Sequence, residues 1–230
     1  MLVSDIFFMG RKNISQEKII QSFLTSAFEK SAGATSLSDI SEILKIKKAS
    51  LYNHFESRDA MYEATIFYCE KEISSIKLLS DKAIESIHSG KTAVLTSFKK
   101  LITRFFNLYE NEPLFAMYTF ISTEKYFNTK AKETFLKFIE KLEDEIKQIL
   151  FAFSKNGKIK IKTEKEIKEN SAIIVAIIIA QLDVYITNRK ETVRQNPDCS
   201  AGSLFALPTD DVAVTKTIKM IEHCLKPILN

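Results

Sequence analysis

Residues 36–61 of this chain run SLSDISEILKIKKASLYNHFESRDAM, and they hold the side chains best placed to do chemistry together. Lys47, Lys48, Ala49, Ser50, Tyr52, Asn53 and His54 crowd into one short stretch. A helix there would bury Leu51 and Phe55 and turn cations and small polar groups outward. Lys48 could reach a phosphate or a base edge, and the Asn53 amide could pair with adenine in the major groove. Ser50, Tyr52 and His54 carry hydrogen-bond donors that phosphates accept, contacts that position without specifying. The surrounding segment predicts three short helices with the tightest turn at Lys45-Ile46-Lys47. That is the pattern of a helix-turn-helix entering a DNA groove. On periodicity alone it competes with a plain helical hairpin bearing a solvated basic face.

No other part of the chain offers reactive groups in a working arrangement. His54, His88 and His223 are far apart in sequence, and the neighbours His223 and Cys224 would point different ways on a helix, which disfavours shared metal ligation. Neither a P-loop nor a GxSxG motif stands out, so an enzyme is not expected, and no metal or cofactor is called for. Cys69, Cys199 and Cys224 are odd in number and widely spaced, which reads as reduced thiols rather than a disulfide framework. Either Cys69 or Cys199 could sense redox state, although a buried or incidental thiol is the simpler reading.

The elements that must position residues 36–61 are helical throughout. The chain has 230 residues, 45% hydrophobic and 27% charged, with only five Gly and four Pro, a composition that favours long helices in a soluble globular protein. The net charge of +4 permits nucleic-acid binding without arguing for it. Locally the balance is sharper, with Lys45, Lys47, Lys48 and Arg58 against Glu56. The N-terminal MLVSDIFFMGRK is a poor signal peptide, and the most apolar run, Ala172 to Leu182, is shorter than the roughly 20 residues a bilayer crossing needs. A cytoplasmic protein with no membrane partner is expected.

Ser15 is placed to cap a first helix whose apolar face is Ile19, Ile20, Phe23, Leu24, Ala27 and Phe28, with Gly33 ending it. Ser36 and Asp39 predict a capping box for the second helix, and the third runs from about Lys47 to Phe55. Ser57 caps a fourth, expected to continue towards residue 86. Further helices are predicted over 91–110, 114–120, 129–153, 164–190 and 210–229. Asn156-Gly157 before KIKIK resembles a hairpin locally but lacks a partner strand, so it reads as a connector. Residues 191–208 read as a loop.

The string Leu37-Ser38-Asp39-Ile40, then Ile43, Ile46, Ser50-Leu51-Tyr52-Asn53-His54-Phe55 and Ser57-Arg58-Asp59-Ala60-Met61 resembles the DNA-binding domain of the tetracycline-repressor (TetR) family of bacterial transcription regulators. The resemblance covers residues 15–61, about the first quarter of the chain. It implies an all-α fold of about nine helices: a three-helix DNA-binding domain, here 12–60, and a helical effector-binding and dimerisation domain, here 61–230. DNA contacts would come from Ser36, Leu37, Lys47, Lys48, Ala49, Ser50, Tyr52, Asn53, His54 and Arg58. Family members usually carry Ala-Gly in the turn where this chain has Leu44-Lys45, a capping Ser where it has Lys47, Gly where it has Ala49, and Lys where it has Arg58. A lysine at 45 lacks glycine's ease at positive φ, so a differently shaped turn is expected.

The resemblance further implies a homodimer built on a four-helix interface, for which Ala172, Ile173, Ala176, Ile177, Ala180, Ile218, Ile221 and Leu225 are candidates. It also implies a pocket for a small apolar or amphipathic effector. The aromatic candidates there are Phe98, Phe105, Tyr109, Phe115, Tyr118 and Tyr126, each of which suits a plain core equally well. The expected activity is a ligand-released repressor on a palindromic operator. The alternative is a helical small-ligand-binding protein that has lost specific DNA binding, motivated by Lys45 and Lys47.

Overall fold

The structure, a computed structural model, describes residues 14–196 and 208–230. Cys199, most of the 191–208 loop and the first residues of the expected 12–60 domain lie outside those residues. The described residues form ten α-helices and no strand: α1 Gln16–Lys30, α2 Leu37–Leu44, α3 Lys48–Leu51, α4 Arg58–Ser75, α5 Asp81–His88, α6 Val94–Tyr109, α7 Leu114–Glu124, α8 Thr129–Lys155, α9 Glu164–Gln195 and α10 Asp211–Leu225. A 3-10 turn, Lys226–Ile228, follows α10. Two compact units divide at Tyr68/Cys69, inside α4, whereas the sequence suggested 60/61.

The first unit is built by its caps. Ser15 Oγ accepts from the Lys18 N–H and starts α1. In α2 the capping box closes both ways, since Asp39 N–H donates to Ser36 Oγ and the Ser36 N–H donates to Asp39 Oδ2 at 2.7 Å. Ser57 Oγ accepts from the Ala60 N–H and opens α4. Gly33 does not end α1; Ser31 does, at φ 81°. Between these helices Ile19, Phe23, Ile40, Leu51, Met61 and Ile66 are fully buried.

The second unit departs from expectation at α4, which stops at Ser75 rather than running towards 86. Lys141 of α8 reaches the carbonyls of Ser74 and Ile76, and Glu145 accepts from the Leu78 N–H at 2.9 Å. These groups take up backbone polar atoms that a continuing helix would have paired internally. Leu78 and Leu79 are then buried, and Ser80 caps α5 as a new helix. One turn earlier, Glu70 pairs with Lys130 at 2.8 Å and Lys137 at 2.7 Å, and those cations hold its carboxyl below the ordinary range.

The 156–163 connector forms a single antiparallel bridge, Ile159 to Leu229, and no hairpin. A polar knot sets the start of α10. Glu110, buried at the end of α6, accepts from the Tyr185 hydroxyl of α9 and from Thr209 Oγ1 at 2.6 Å, while the Asp210 N–H donates to the same tyrosine oxygen. Burial and this carboxylate push the Tyr185 phenol upward in pKa. Losing the hydroxyl leaves a buried carboxylate oxygen short of a donor. Tyr185→Phe is therefore expected to lower stability by about 1–2 kcal/mol, read as a lower urea midpoint at unchanged slope.

Candidate nucleic-acid interface

The interface candidate begins at the turn between α2 and α3. Lys45 takes the left-handed conformation, φ 55° and ψ 50°, its N–H directed to the carbonyls of Ser41 and Glu42, and the Ile46 N–H returns to Ser41 O at 2.9 Å. Lysine thus adopts the turn geometry that glycine would make easily, and the expected reshaping of the turn does not occur. The left-handed conformation costs a non-glycine residue about 1 kcal/mol. Ile46 then dips inward, half-buried, and the chain enters α3.

α3 itself is one turn, Lys48–Leu51, shorter than the 47–55 span expected; residues 52–54 continue as turns, with His54 N–H and Phe55 N–H both donating to Leu51 O. Lys47 occupies the N-cap position with no side-chain cap, as a lysine must. Leu51 is fully buried and anchors the turn. The opposite face is open: Lys47, Lys48, Ala49, Tyr52 and Asn53 are exposed, and Ser50 and His54 are half-buried. Gln16 of α1 donates to the His54 carbonyl at 3.0 Å, so the far end of this segment is held by α1. Ser36 and Leu37 lie at the start of α2, where the Ser36 hydroxyl is engaged with Asp39 at 2.8 Å.

Arg58 does not join this face. Its Nε donates to Thr35 O at 2.9 Å, Nη2 donates to Ala32 O, and Nη1 pairs with Asp59 at 3.2 Å. The guanidinium carbon lies over the rings of Phe23 and Tyr62, 5.4 and 5.9 Å from their centroids. A side chain expected at a phosphate is instead an internal brace tying the α1–α2 loop to α4. Sequence could not reveal this, because the accepting carbonyls are 23 and 26 residues away. Lys30 contributes a second tie, 2.6 Å from Asp39. That ammonium, with the Ser36 hydrogen bonds, holds the Asp39 carboxyl at about 2.

The aromatic set expected to line a pocket is packed against itself. Phe98, Phe105, Tyr109, Phe115 and Tyr118 are buried. Tyr109 stands 4.8 Å from Phe105 and 5.6 Å from Tyr118, centroid to centroid. Tyr118 donates to Asp183 at 2.6 Å, and desolvation raises its phenol pKa. Tyr126 is 77% exposed and takes no part in the cluster; it lies on the surface before α8, with Lys125 over its ring. Beside the cluster are cavities of about 10 Å³, against Phe105, Tyr109, Phe138 and Glu145, and about 30 Å³, against Leu79, Ile87, His88 and Glu145. His88, which the sequence offered only as an isolated histidine, lines the second of these. No group of His, Cys, Asp and Glu suited to a metal occurs among the described residues. Cys69 is buried, and desolvation raises its thiol pKa.

The candidate interface helices divide into two faces. Ala172, Ile173, Ala176 and Ala180 of α9 are exposed and Ile177 is half-buried, whereas Ile174, Val175, Ile178 and Leu182 pack inside. On α10, Ile221 and Leu225 are buried within the subunit and belong to its core, so they are withdrawn from the interface set; Ile218 is half-buried. Val212 and Met220 face outward instead. With Ile177, His223 and Cys224 they border a groove of about 850 Å³. By length and composition α9 could also cross a bilayer, which the shorter run counted from sequence did not suggest.

Residues 24–65 match the family described as bacterial regulatory proteins, tetR family. A curated relative is the biofilm operon icaADBC HTH-type negative transcriptional regulator IcaR of Staphylococcus aureus, 37% identical over 65 residues, 28% of this chain and 35% of that protein. IcaR of Staphylococcus epidermidis is 39% identical over 54 residues, 24% and 29% of the two chains. The chain therefore spans about a third of the length of the curated relatives it matches. Two solved structures share the fold over nearly the whole chain. One is a TetR-family regulator from Mesorhizobium loti, with TM-score 0.60 and 12% identity over 94% of this chain and 96% of that one. The other is SmeT, the repressor of the Stenotrophomonas maltophilia multidrug efflux pump SmeDEF, with TM-score 0.57 and 10% identity over 95% and 92%.

Two measurements check the bracing described above. Arg58→Ala is expected to destabilise the protein by about 2 kcal/mol, since two carbonyls lose a charged donor, seen as an earlier unfolding transition. Asp39 has a folded pKa below its unfolded value, so its contribution is complete above about pH 4 and is lost as pH falls towards 2. Asp39→Asn should flatten stability across that window; an unchanged acid limb would refute the pairing.

Proposed function

We propose that this chain, whose residues 24–65 match the tetR-family model, is a transcriptional regulator that binds a palindromic operator as a homodimer. The supporting observation is the open basic face of the α2–α3 unit, Lys47, Lys48, Ser50, Tyr52, Asn53 and His54, carried on a buried Leu51. Lys47, Lys48 and Ser50 meet phosphates; Asn53 reaches a base edge. Negative control, as in the name of the IcaR relatives, is the sign assigned to it. The reading places it in the cytoplasm, without a membrane partner or a cofactor. The rival reading, a ligand binder that has lost its DNA site, was motivated by Lys45 and Lys47. Lys45 holds the left-handed turn and Lys47 is exposed, which favours a retained DNA site.

A second copy of the chain is the proposed cover for the α9–α10 face. The side chains Ile173, Ala180 and Val184, all exposed, and the half-buried Ile177 fall at intervals of four, three and four in the order 173, 177, 180, 184, the spacing of a helix–helix seam. Alanines 172, 176 and 180 let a partner helix come close. A twofold pair of recognition helices then reads half-sites about 34–36 Å apart. The effector is proposed to enter among α5, α6 and α8, where the small cavities share Glu145, and to enlarge them by displacing side chains. It acts by preferring one of two settings of α4, which is continuous from Arg58 to Ser75 and carries residues of both units.

Fluorescence anisotropy with the DNA upstream of the protein's own gene tests the central claim. Specific binding at low salt is expected, and its absence with and without candidate ligands would end the regulator reading. Ile173→Glu is expected to convert a dimer into a folded monomer by light scattering, because that side chain is half exposed in the subunit. A monomeric parent at micromolar concentration would sink the dimer.

A further inference from the structure

The left-handed backbone at position 45 closes α2 through its N–H, a task glycine would perform with less strain, and the lysine side chain takes no part in it. That side chain is exposed and has no ion pair among the described residues, while the backbone sits where glycine is at ease. Such an outlier calls for a functional reason. A second observation bears on the same point: Arg58, a cation expected at the phosphate backbone, spends its donors on Ala32, Thr35 and Asp59. The recognition unit therefore draws its positive charge from elsewhere. Lys45, Lys47 and Lys48 supply it, three exposed cations within four positions.

We infer that Lys45 is a DNA-phosphate contact, held in a strained turn conformation in order to carry an ammonium group there. This rests on the DNA-binding reading above and deepens it. Glycine at 45 would relax the backbone and remove the charge, so the two effects separate in one variant. The phosphate site shifts from the start of α4 to the turn, leaving Arg58 as a positioning residue that holds the α1–α2 loop.

The experiment compares the full-length protein with Lys45→Gly, Lys45→Asn and Arg58→Gln on DNA that the parent binds specifically, over a salt series and well below each variant's melting temperature. Lys45→Gly is expected to raise the melting temperature while weakening binding on the order of fivefold, with the slope of log K against log salt smaller by about 0.9. Lys45→Asn, which tolerates the left-handed region, should show the same loss of affinity and slope. Arg58→Gln, which removes the charge, should lower the melting temperature and leave the slope unchanged. If Lys45→Gly binds with the parent's affinity and slope, the inference is overturned. A slope smaller by about 0.9 for Arg58→Gln would return the phosphate contact to α4 and also overturn it. A parent that binds no DNA defeats the functional reading itself, a distinct outcome.

Discussion

The first unit depends on one guanidinium. Arg58 sits at the first residue of α4, yet its hydrogen bonds reach back to Ala32 and Thr35, in the loop that delivers α2. Its guanidinium carbon lies over the rings of Phe23 of α1 and Tyr62 of α4. One side chain thus touches α1, the α1–α2 loop and α4, the frame within which α2 and α3 are set. The capping box of α2, the Lys30–Asp39 pair and the Gln16 contact to His54 refine that frame at its edges. Hydrogen bonds to a charged donor are stronger than neutral ones, and this donor is partly shielded from water. A lysine could supply the charge but not the planar fork that two separate carbonyls need.

The second unit uses the same logic with different chemistry. α8 presents Lys130, Lys137, Lys141 and Glu145 to the last part of α4 and the residues after it. These groups serve a carboxylate, two carbonyls and an N–H in succession. The helix ends where its backbone finds side-chain partners instead of its own next turn. The aromatic cluster packs with ring separations of about 5–6 Å, as expected for tilted and edge-on pairs. On the proposed reading, an effector entering this region displaces side chains, which makes its binding a conformational event.

Local signals were legible in the sequence and long-range ones were not. Ser15, Ser36 with Asp39, and Ser57 cap helices as their spacing predicts, because a cap reaches only two or three residues. The fold class and the open basic face around Lys48 followed from periodicity and family resemblance together. What stayed hidden required partners distant in the chain. Arg58 looked like a surface cation because Ala32 O and Thr35 O carry no side-chain signature. The end of α4 was missed because Lys141 and Glu145 lie more than sixty residues away. Ile221 and Leu225 were offered to a partner because a 3-4 seam looks alike whether it faces the subunit's own core or a second copy. Lys45 illustrates the opposite error: residue type argued against the left-handed turn, and the surrounding hydrogen bonds imposed it.

On the proposed DNA-binding reading, the brevity of α3 limits how much sequence one subunit reads. Four residues at 1.5 Å rise cover about 6 Å, against 3.4 Å per base pair, so the regular turn faces about two base pairs, and Asn53 in the turns that follow extends this only slightly. Two base pairs distinguish few sites in a genome, and duplicating them by symmetry still leaves a short address. The remaining discrimination has to come from the spacing between half-sites and from how readily the intervening duplex bends or narrows. On this reading the regulator's targets share a geometry more than a long consensus, and DNA of equal local sequence but different stiffness would be sorted differently.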